Sequence, residues 1–152
     1  EMQRSLVGSE MCIRDRFYTA TSALYRVEDS WSGFRWLQAD DSIHSAAVWM
    51  RMDEQGNALL CAFNFTPIPM EDYRVGVPAA GVFRQAFSTD SEKYGGTGEY
   101  ENAPKETIDE PLDAFEQQLS IQLPPYGAVY LRFSGTVPRE QVEAGEAIDA
   151  DV

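Results

Sequence analysis

The sequence predicts an all-β fold, an antiparallel β-sandwich of Greek-key-like order, on three observations. Apolar and polar residues alternate with period two in several short segments. Turns rich in glycine, proline, asparagine and aspartate separate those segments. No amphipathic helical run lies between them, so the way left to bury their apolar faces is to pack sheet against sheet.

The chain opens with residues 1–16, EMQRSLVGSEMCIRDR, which follow neither a helical nor an alternating pattern and whose three acidic and three basic residues cancel. SLVGSEMCIRDR resembles a translated sequencing adapter, so this leader is expected to be non-native or disordered, and Met11, Cys12 and Arg14 are not read as a site. The domain itself is expected over 17–134. Within it, Thr19 to Arg26 reads as the end of a helix that packs on something outside the chain.

From Trp36 onward the period becomes two. Ala46, Val48, Met50 and Met52 oppose Ala47, Trp49 and Arg51, and after the turn Asp53-Glu54-Gln55-Gly56-Asn57 a second arm sets Leu59, Cys61, Phe63 and Phe65 against Leu60, Ala62 and Asn64. This is a hairpin whose second arm, apolar on both faces, belongs at the centre of a sheet. Phe63→Ala is accordingly expected to cost about 3–5 kcal/mol. Tyr73, Val75 and Val77 form a strand that ends at Pro78, and Val82 to Phe87 form another. Leu119, Ile121 and Leu123 alternate with Gln118, Ser120 and Gln122, and after Pro124-Pro125-Tyr126-Gly127 the residues Val129, Leu131 and Phe133 alternate with Ala128, Tyr130 and Arg132. The intervening stretch 88–116 shows no strand pattern and is long for a loop, which marks it as functional, disordered or an interface. Residues 135–152, with five acidic residues and one arginine, read as a solvated, disordered tail.

At 152 residues the chain has the size of one domain, and 43% hydrophobic with 24% charged residues is a globular composition. Twelve Lys+Arg against 25 Asp+Glu give a formal net charge of −13, which repels phosphate and argues against nucleic acid or an anionic membrane as partner. No apolar run approaches the roughly 20 residues of a membrane helix. Cys12 and Cys61 make no disulfide framework, and with one histidine there is no zinc pattern. No cofactor or metal is expected, and the cytoplasm is the expected compartment.

The chemistry on offer is sparse. His44, between Ser42 and Ser45 and after Asp40 and Asp41, reads as a turn histidine in a polar cap, because neighbours in sequence point different ways. A glycosidase needs two carboxylates about 5–9 Å apart, and Asp90, Glu92, Glu99 and Glu101 read as a solvated face instead. Lys93 to Gly98, KYGGTG, lacks phosphate-loop spacing and reads as a backbone bend. Asn64-Phe65-Thr66 matches a glycosylation acceptor but ends a central strand. Trp31, Trp36, Trp49, Tyr73, Tyr94 and Tyr100 include rings outside the clearest inward faces, where an exposed ring stacks on sugar and a buried one packs a core or interface.

Gly33-Phe34-Arg35-Trp36-Leu37 with Asp40-Asp41, CAFNFTPIP at 61–69, DYRVGVP at 72–78, TDSEKYGGTG at 89–98 and IQLPPYGA at 121–128 occur in that order. Together they resemble the C-terminal all-β domain of 1,4-α-glucan (glycogen) branching enzymes, in the α-amylase superfamily, over about 23–133. The resemblance implies a sandwich of the amylase C-terminal type that follows a catalytic (β/α)8 barrel. In that family the barrel carries the carboxylate nucleophile and the acid/base, and a covalent intermediate passes an α-1,4-glucan segment to a 6-hydroxyl. No catalytic residue carries over to this chain, so the expectation is an inactive fragment of a broken reading frame that stabilises the missing barrel. The implied partners are the barrel of the parent chain and, weakly or indirectly, α-glucan. Trp36, Asp40, Asp41, Trp49, Tyr94, Gly95 and Gly96 are the candidates for carbohydrate or barrel contact. Val27 to Ser32 departs from the family pattern. An autonomous carbohydrate-binding sandwich, or the same domain of a related superfamily hydrolase, are the alternatives.

Overall fold

The computed structural model describes residues 15–137. The leader at 1–14 and the acidic tail at 138–152 lie outside the described residues.

Among the described residues eight strands form two sheets: β1 (Phe34–Asp41), β2 (Ala46–Met52), β3 (Ala58–Asn64), β4 (Met70–Val77), β5 (Val82–Ser88), β6 (Lys105–Glu106), β7 (Gln117–Leu123) and β8 (Ala128–Phe133). One sheet has the order β1-β2-β3-β8-β5-β6 and the other is the pair β4-β7, with every pairing antiparallel. The last strand, β8, is inserted between β3 and β5, which closes the sandwich through contacts distant in sequence.

The period-two alternation sets the core. Val48, Met50 and Met52 of β2, Leu60 and Ala62 of β3, Phe83 of β5 and Val129 and Leu131 of β8 face Tyr73, Val75 and Val77 of β4 and Leu119, Ile121 and Leu123 of β7. Burying side chains of this size contributes on the order of 1.5–3 kcal/mol each. The hairpin and central position expected for β3 are both present, but the two faces of β3 differ. Leu59 and Cys61, on its outer face, are buried under the N-terminal segment in a second, outer cluster, and Phe63, packed against that cluster, is only half-buried. The expected core cost of Phe63→Ala is therefore corrected downward, because the ring already borders solvent.

That N-terminal segment is not one helix over 19–26. Helix covers 15–20, a 3₁₀ turn covers Ser22–Leu24, and the chain then crosses the outer sheet face as a strap. Ala23 is buried against β3. Arg132 donates to Thr21 Oγ1 at 2.9 Å, Ser22 Oγ donates to Asp53 at 2.6 Å, and Arg51 reaches the carbonyls of Leu24 and Val27 at 3.4 Å. Two cations on the sheet thus hold the strap by its oxygens.

The β2–β3 turn is organised by Asp53, which accepts from the backbone N–H groups of Gln55 and Asn57 and from Asn57 Nδ2. Burial raises the cost of its charge, but these bonds and that from Ser22 hold its carboxyl below the usual value. At Gly56, φ is 84° and an added Cβ would lie 2.6 Å from the carbonyl oxygen of Val137, so only glycine fits. Val137 donates its N–H back to Gly56 O at 2.8 Å and is 3% exposed. Within the expected solvated tail, Gly135 and Thr136 are exposed but Val137 is packed into the core of the sandwich.

The stretch 88–116 is also corrected. It carries a 3₁₀ turn at Glu92–Tyr94 and the edge strand β6, and Asn102 ties it to both sheets. The Asn102 N–H donates to Gln85 Oε1 at 2.9 Å, its Nδ2 donates to Gln122 O at 3.0 Å, and its Oδ1 accepts from Gln122 N at 2.8 Å. A polar side chain satisfied on all sides replaces the apolar periodicity that sequence reading relies on.

Candidate functional site

On the outer face of the six-stranded sheet, Trp36 of β1 pairs with Trp49 of β2, Trp49 with Cys61 of β3, Cys61 with Tyr130 of β8, and Tyr130 with Phe87 of β5. Period two points Trp36, Trp49, Cys61 and Tyr130 outward, and a bulge between Gln85 and Phe87 turns Phe87, four residues on from the core residue Phe83, to the same side, so they form a single row across five strands. Phe63, two residues along β3, fills the gap over the small Cys61 side chain. Ring contacts run without a break: Trp36–Trp49 at 5.6 Å and T-shaped, Trp49–Phe63 at 4.5 Å and stacked, Phe63–Tyr130 at 6.0 Å, Tyr130–Phe87 at 5.2 Å and Phe87–Tyr94 at 5.2 Å. Geometries of this kind add about 0.5–1.5 kcal/mol per pair beyond burial.

Three of the expected site residues, Trp36, Trp49 and Tyr94, are brought onto this row, with Trp36 41% exposed at one end and Tyr94 half-buried at the other. Gly95 and Gly96 stand beside Tyr94 as a turn. Gly95 has φ 85° and caps the 3₁₀ turn, and a Cβ on Gly96 would lie 2.2 Å from the backbone of Asp90. The bend read from KYGGTG is this turn, fastened by Asp90, which accepts from the Thr97 N–H and hydroxyl and from the Tyr100 N–H. These bonds hold the Asp90 carboxyl below its ordinary value against the opposing effect of burial.

Asp40 and Asp41 are not brought to the row. Asp40 is exposed near the end of β1. Asp41 accepts from Tyr73 Oη at 2.8 Å, from the His44 N–H at 3.1 Å, and contacts His44 Nδ1 at 2.8 Å. Burial opposes its charge, yet the bonds from Tyr73 and His44 hold its carboxyl low, while burial and then Asp41 push the Tyr73 hydroxyl up. The pair joins the two sheets, and His44 is the turn histidine of a polar cap. Trp31 rests against Phe34 at 6.0 Å, and Tyr73 is buried.

Phe63, Phe87 and Tyr130 were not among the candidates for carbohydrate or barrel contact named from sequence. For Phe63 and Tyr130 the signal was present in the parity of their strands, but parity does not say which outward residues become neighbours; Phe87 has the parity of the core residue Phe83 and is turned outward only by the bulge after Gln85. Buried beneath the row, the Cys61 thiol is pushed up to about 12 by desolvation, which makes it unreactive.

Among the described residues no group of three His, Cys, Asp or Glu is placed to hold a metal ion, and no helix is long and apolar enough to cross a membrane. The acids Asp41, Asp53 and Asp90 are each committed to turn hydrogen bonds. The face therefore has the character of a contact surface and offers aromatic area in place of acid/base chemistry.

Comparison with known proteins gives a consistent picture. The 1,4-alpha-glucan branching enzyme GlgB of Cutibacterium acnes is 34% identical over 130 residues, covering 82% of this chain and 20% of that protein. The enzyme of the same name from Nitrobacter hamburgensis is 39% identical over 127 residues, covering 82% of this chain and 17% of that protein. Its namesake in Burkholderia pseudomallei (strain 668) is 34% identical over 127 residues, with the same coverage. The chain thus spans about a fifth of the length of these relatives. The sequence model of the alpha amylase C-terminal all-beta domain matches residues 36–134, the stretch that folds here into β1 through β8. On that match and the two antiparallel sheets, the chain belongs to the alpha-amylase C-terminal all-beta domain family.

Proposed function

We propose that the chain serves as the non-catalytic C-terminal sandwich of a cytoplasmic 1,4-α-glucan branching enzyme, where its outer sheet face seats against the catalytic barrel and stabilises it. The observation that carries this reading is the aromatic row from Trp36 to Tyr94, left partly open on a sheet whose other face is already a closed core. A sheet face lined with rings and edged by a strap of its own chain is suited to a permanent apolar contact. The choice of partner is supported by the relatives, which are branching enzymes about five to six times longer than the stretch they share with this chain. Turnover then belongs to the partner, and this chain alone transfers no glucan.

A chimera tests this directly. Residues 15–137 replace the matching region of the Cutibacterium acnes relative, and branching is followed by the iodine spectrum of amylose. The expected result is an active chimera and an inactive isolated domain. A chimera that folds, by circular dichroism, but branches no better than the relative with its matching region deleted would overturn the reading.

A further inference from the structure

Two of the sequence strings that carry the family resemblance, NFTPIP at 64–69 and PPYG at 124–127, are brought together by the fold at the edge of the aromatic row, where Phe65 stacks on Phe63. At the end of the sandwich where β3 and β7 finish, Asn64 is 2% exposed and spends its whole side chain on joining loops. Its Nδ2 donates to Ile68 O at 2.9 Å and Pro124 O at 3.1 Å, and its Oδ1 accepts from the Thr66 N–H at 2.9 Å and the Thr66 hydroxyl at 2.7 Å. Backbone bonds complete the lacing: Asn64 N–H to Gly127 O at 2.9 Å, Tyr126 N–H to Thr66 O at 2.9 Å and Phe65 N–H to Ser45 O at 3.1 Å. Three connections, β1–β2, β3–β4 and β7–β8, thus form one rigid surface.

That surface presents rings to water. Tyr126 is 71% exposed and Phe65 61% exposed, and Tyr126 is held there in a left-handed conformation, φ 47°, which costs a non-glycine residue about 1 kcal/mol or more. Phe65 is backed by Phe63 at 6.3 Å and 10°, so its outer face is free while its inner face is supported. The same connections carry polar groups, the Thr66 hydroxyl and the half-exposed His44. Asp41 holds His44 by Nδ1, and its Nε2 makes no hydrogen bond among the described residues.

We propose that this loop platform is a contact site for α-glucan, with sugar faces stacked on Tyr126 and Phe65 and hydroxyls within reach of His44 Nε2. The chemistry selects a neutral polyol. A net charge of −13 disfavours an anionic ligand, and pre-ordered rings interleaved with polar atoms suit a ligand that has both apolar faces and hydroxyl edges. The choice of α-glucan among such ligands rests on the branching-enzyme reading above. Through Phe65, which stacks on Phe63, the platform adjoins the outer face proposed to meet the barrel, at the end of the sandwich where β3 finishes.

The test is native electrophoresis of the 152-residue chain in gels with and without amylopectin, with maltoheptaose as soluble competitor. The chain is expected to be retarded, with Tyr126→Asn and Phe65→Ala each weakening the apparent Kd about tenfold, the size expected when a contact-centre aromatic is truncated. Tyr126→Asn preserves a residue at ease in the left-handed region, and Phe65→Tyr, which keeps the ring, should remain retarded. Because both rings are exposed, unchanged thermal midpoints will verify folding. No retardation of the unaltered chain, or retardation that survives both substitutions and is removed by Trp36→Ala, overturns the proposal. The chimera assay does not alter Tyr126 or Phe65, so an active chimera with no platform effect sinks this proposal and leaves the branching-enzyme reading standing.

Discussion

The side-chain amide of Asn64 donates to the carbonyl of Pro124 at 3.1 Å across sixty positions of sequence, and that one bond joins the end of β3 in one sheet to the end of β7 in the other. Because Asn64 is buried, neither partner can fall back on water. Asn64→Asp removes both donors and places a carboxylate against two carbonyl oxygens, and Asn64→Ala takes the side-chain donor from the Pro124 carbonyl and leaves the Ile68 carbonyl only the Thr66 hydroxyl. Either change is expected to cost about 2–4 kcal/mol, measured by urea denaturation, with Asp the worse of the two. A loss under 1 kcal/mol for both would show that the lacing is dispensable.

Phe83 and Phe63 separate the two sides of the large sheet. Phe83 is 1% exposed inside the sandwich, and Phe63 lies in the half-open outer row. Phe83→Ala should cost about 3–5 kcal/mol, and Phe63→Ala about half as much. Chemical denaturation of the two variants side by side checks the order, and equal losses would contradict the placement of Phe63 on a solvent-bordering face.

The Asp53 carboxyl is held below its ordinary value of 3.8 by bonds that only the folded turn supplies. Its contribution to stability is therefore fully present above that value and is lost as pH falls through the lower folded one. Asp41 and Asp90 are shifted the same way and add to the slope. In Asp53→Asn, the amide hydrogens oppose Asn57 Nδ2. This variant should be less stable at pH 7 and lose less on acidification, as thermal melts between pH 7 and 3 would show. A melt as acid-sensitive as that of the unaltered chain would exclude Asp53 as a source of the dependence.

The strap over β3 covers Cys61, whose thiol is 2% exposed and pushed up to about 12. In a Cys12→Ser background Cys61 should resist a thiol reagent at pH 8 under native conditions. Deletion of residues 1–33 should make it react at least about tenfold faster, because opening then needs no displacement of the strap. Equal labelling rates would mean that the strap contributes no cover.

Much of this was legible in sequence. The alternation in Ala46–Met52, Ala58–Asn64, Gln117–Leu123 and Ala128–Phe133 named the strands and their inward faces, because a period of two leaves a residue no choice of side once its strand is half-buried. The turns at 53–57 and 124–127 were legible through residues that favour them, and the ordered strings between Gly33 and Ala128 pointed to the family that the domain match then established. The stretch 88–116 was not legible, because Asn102 fastens it with hydrogen bonds in place of an apolar pattern.

What only the tertiary structure decided is adjacency. Strand parity fits the outward faces of Trp36 and Trp49, but Phe87 shares the parity of the core residue Phe83, and only the bulge after Gln85 and the insertion of β8 between β3 and β5 set Phe87 beside Tyr130 and made one row of them. The same closure parted Asp41 from that row and set it under Tyr73, and it carried Pro124 back to Asn64. The physical reason is that local periodicity fixes a side chain's direction relative to its own strand, whereas neighbours across a sheet are chosen by long-range burial and by the pairing of buried polar groups, which no local pattern encodes.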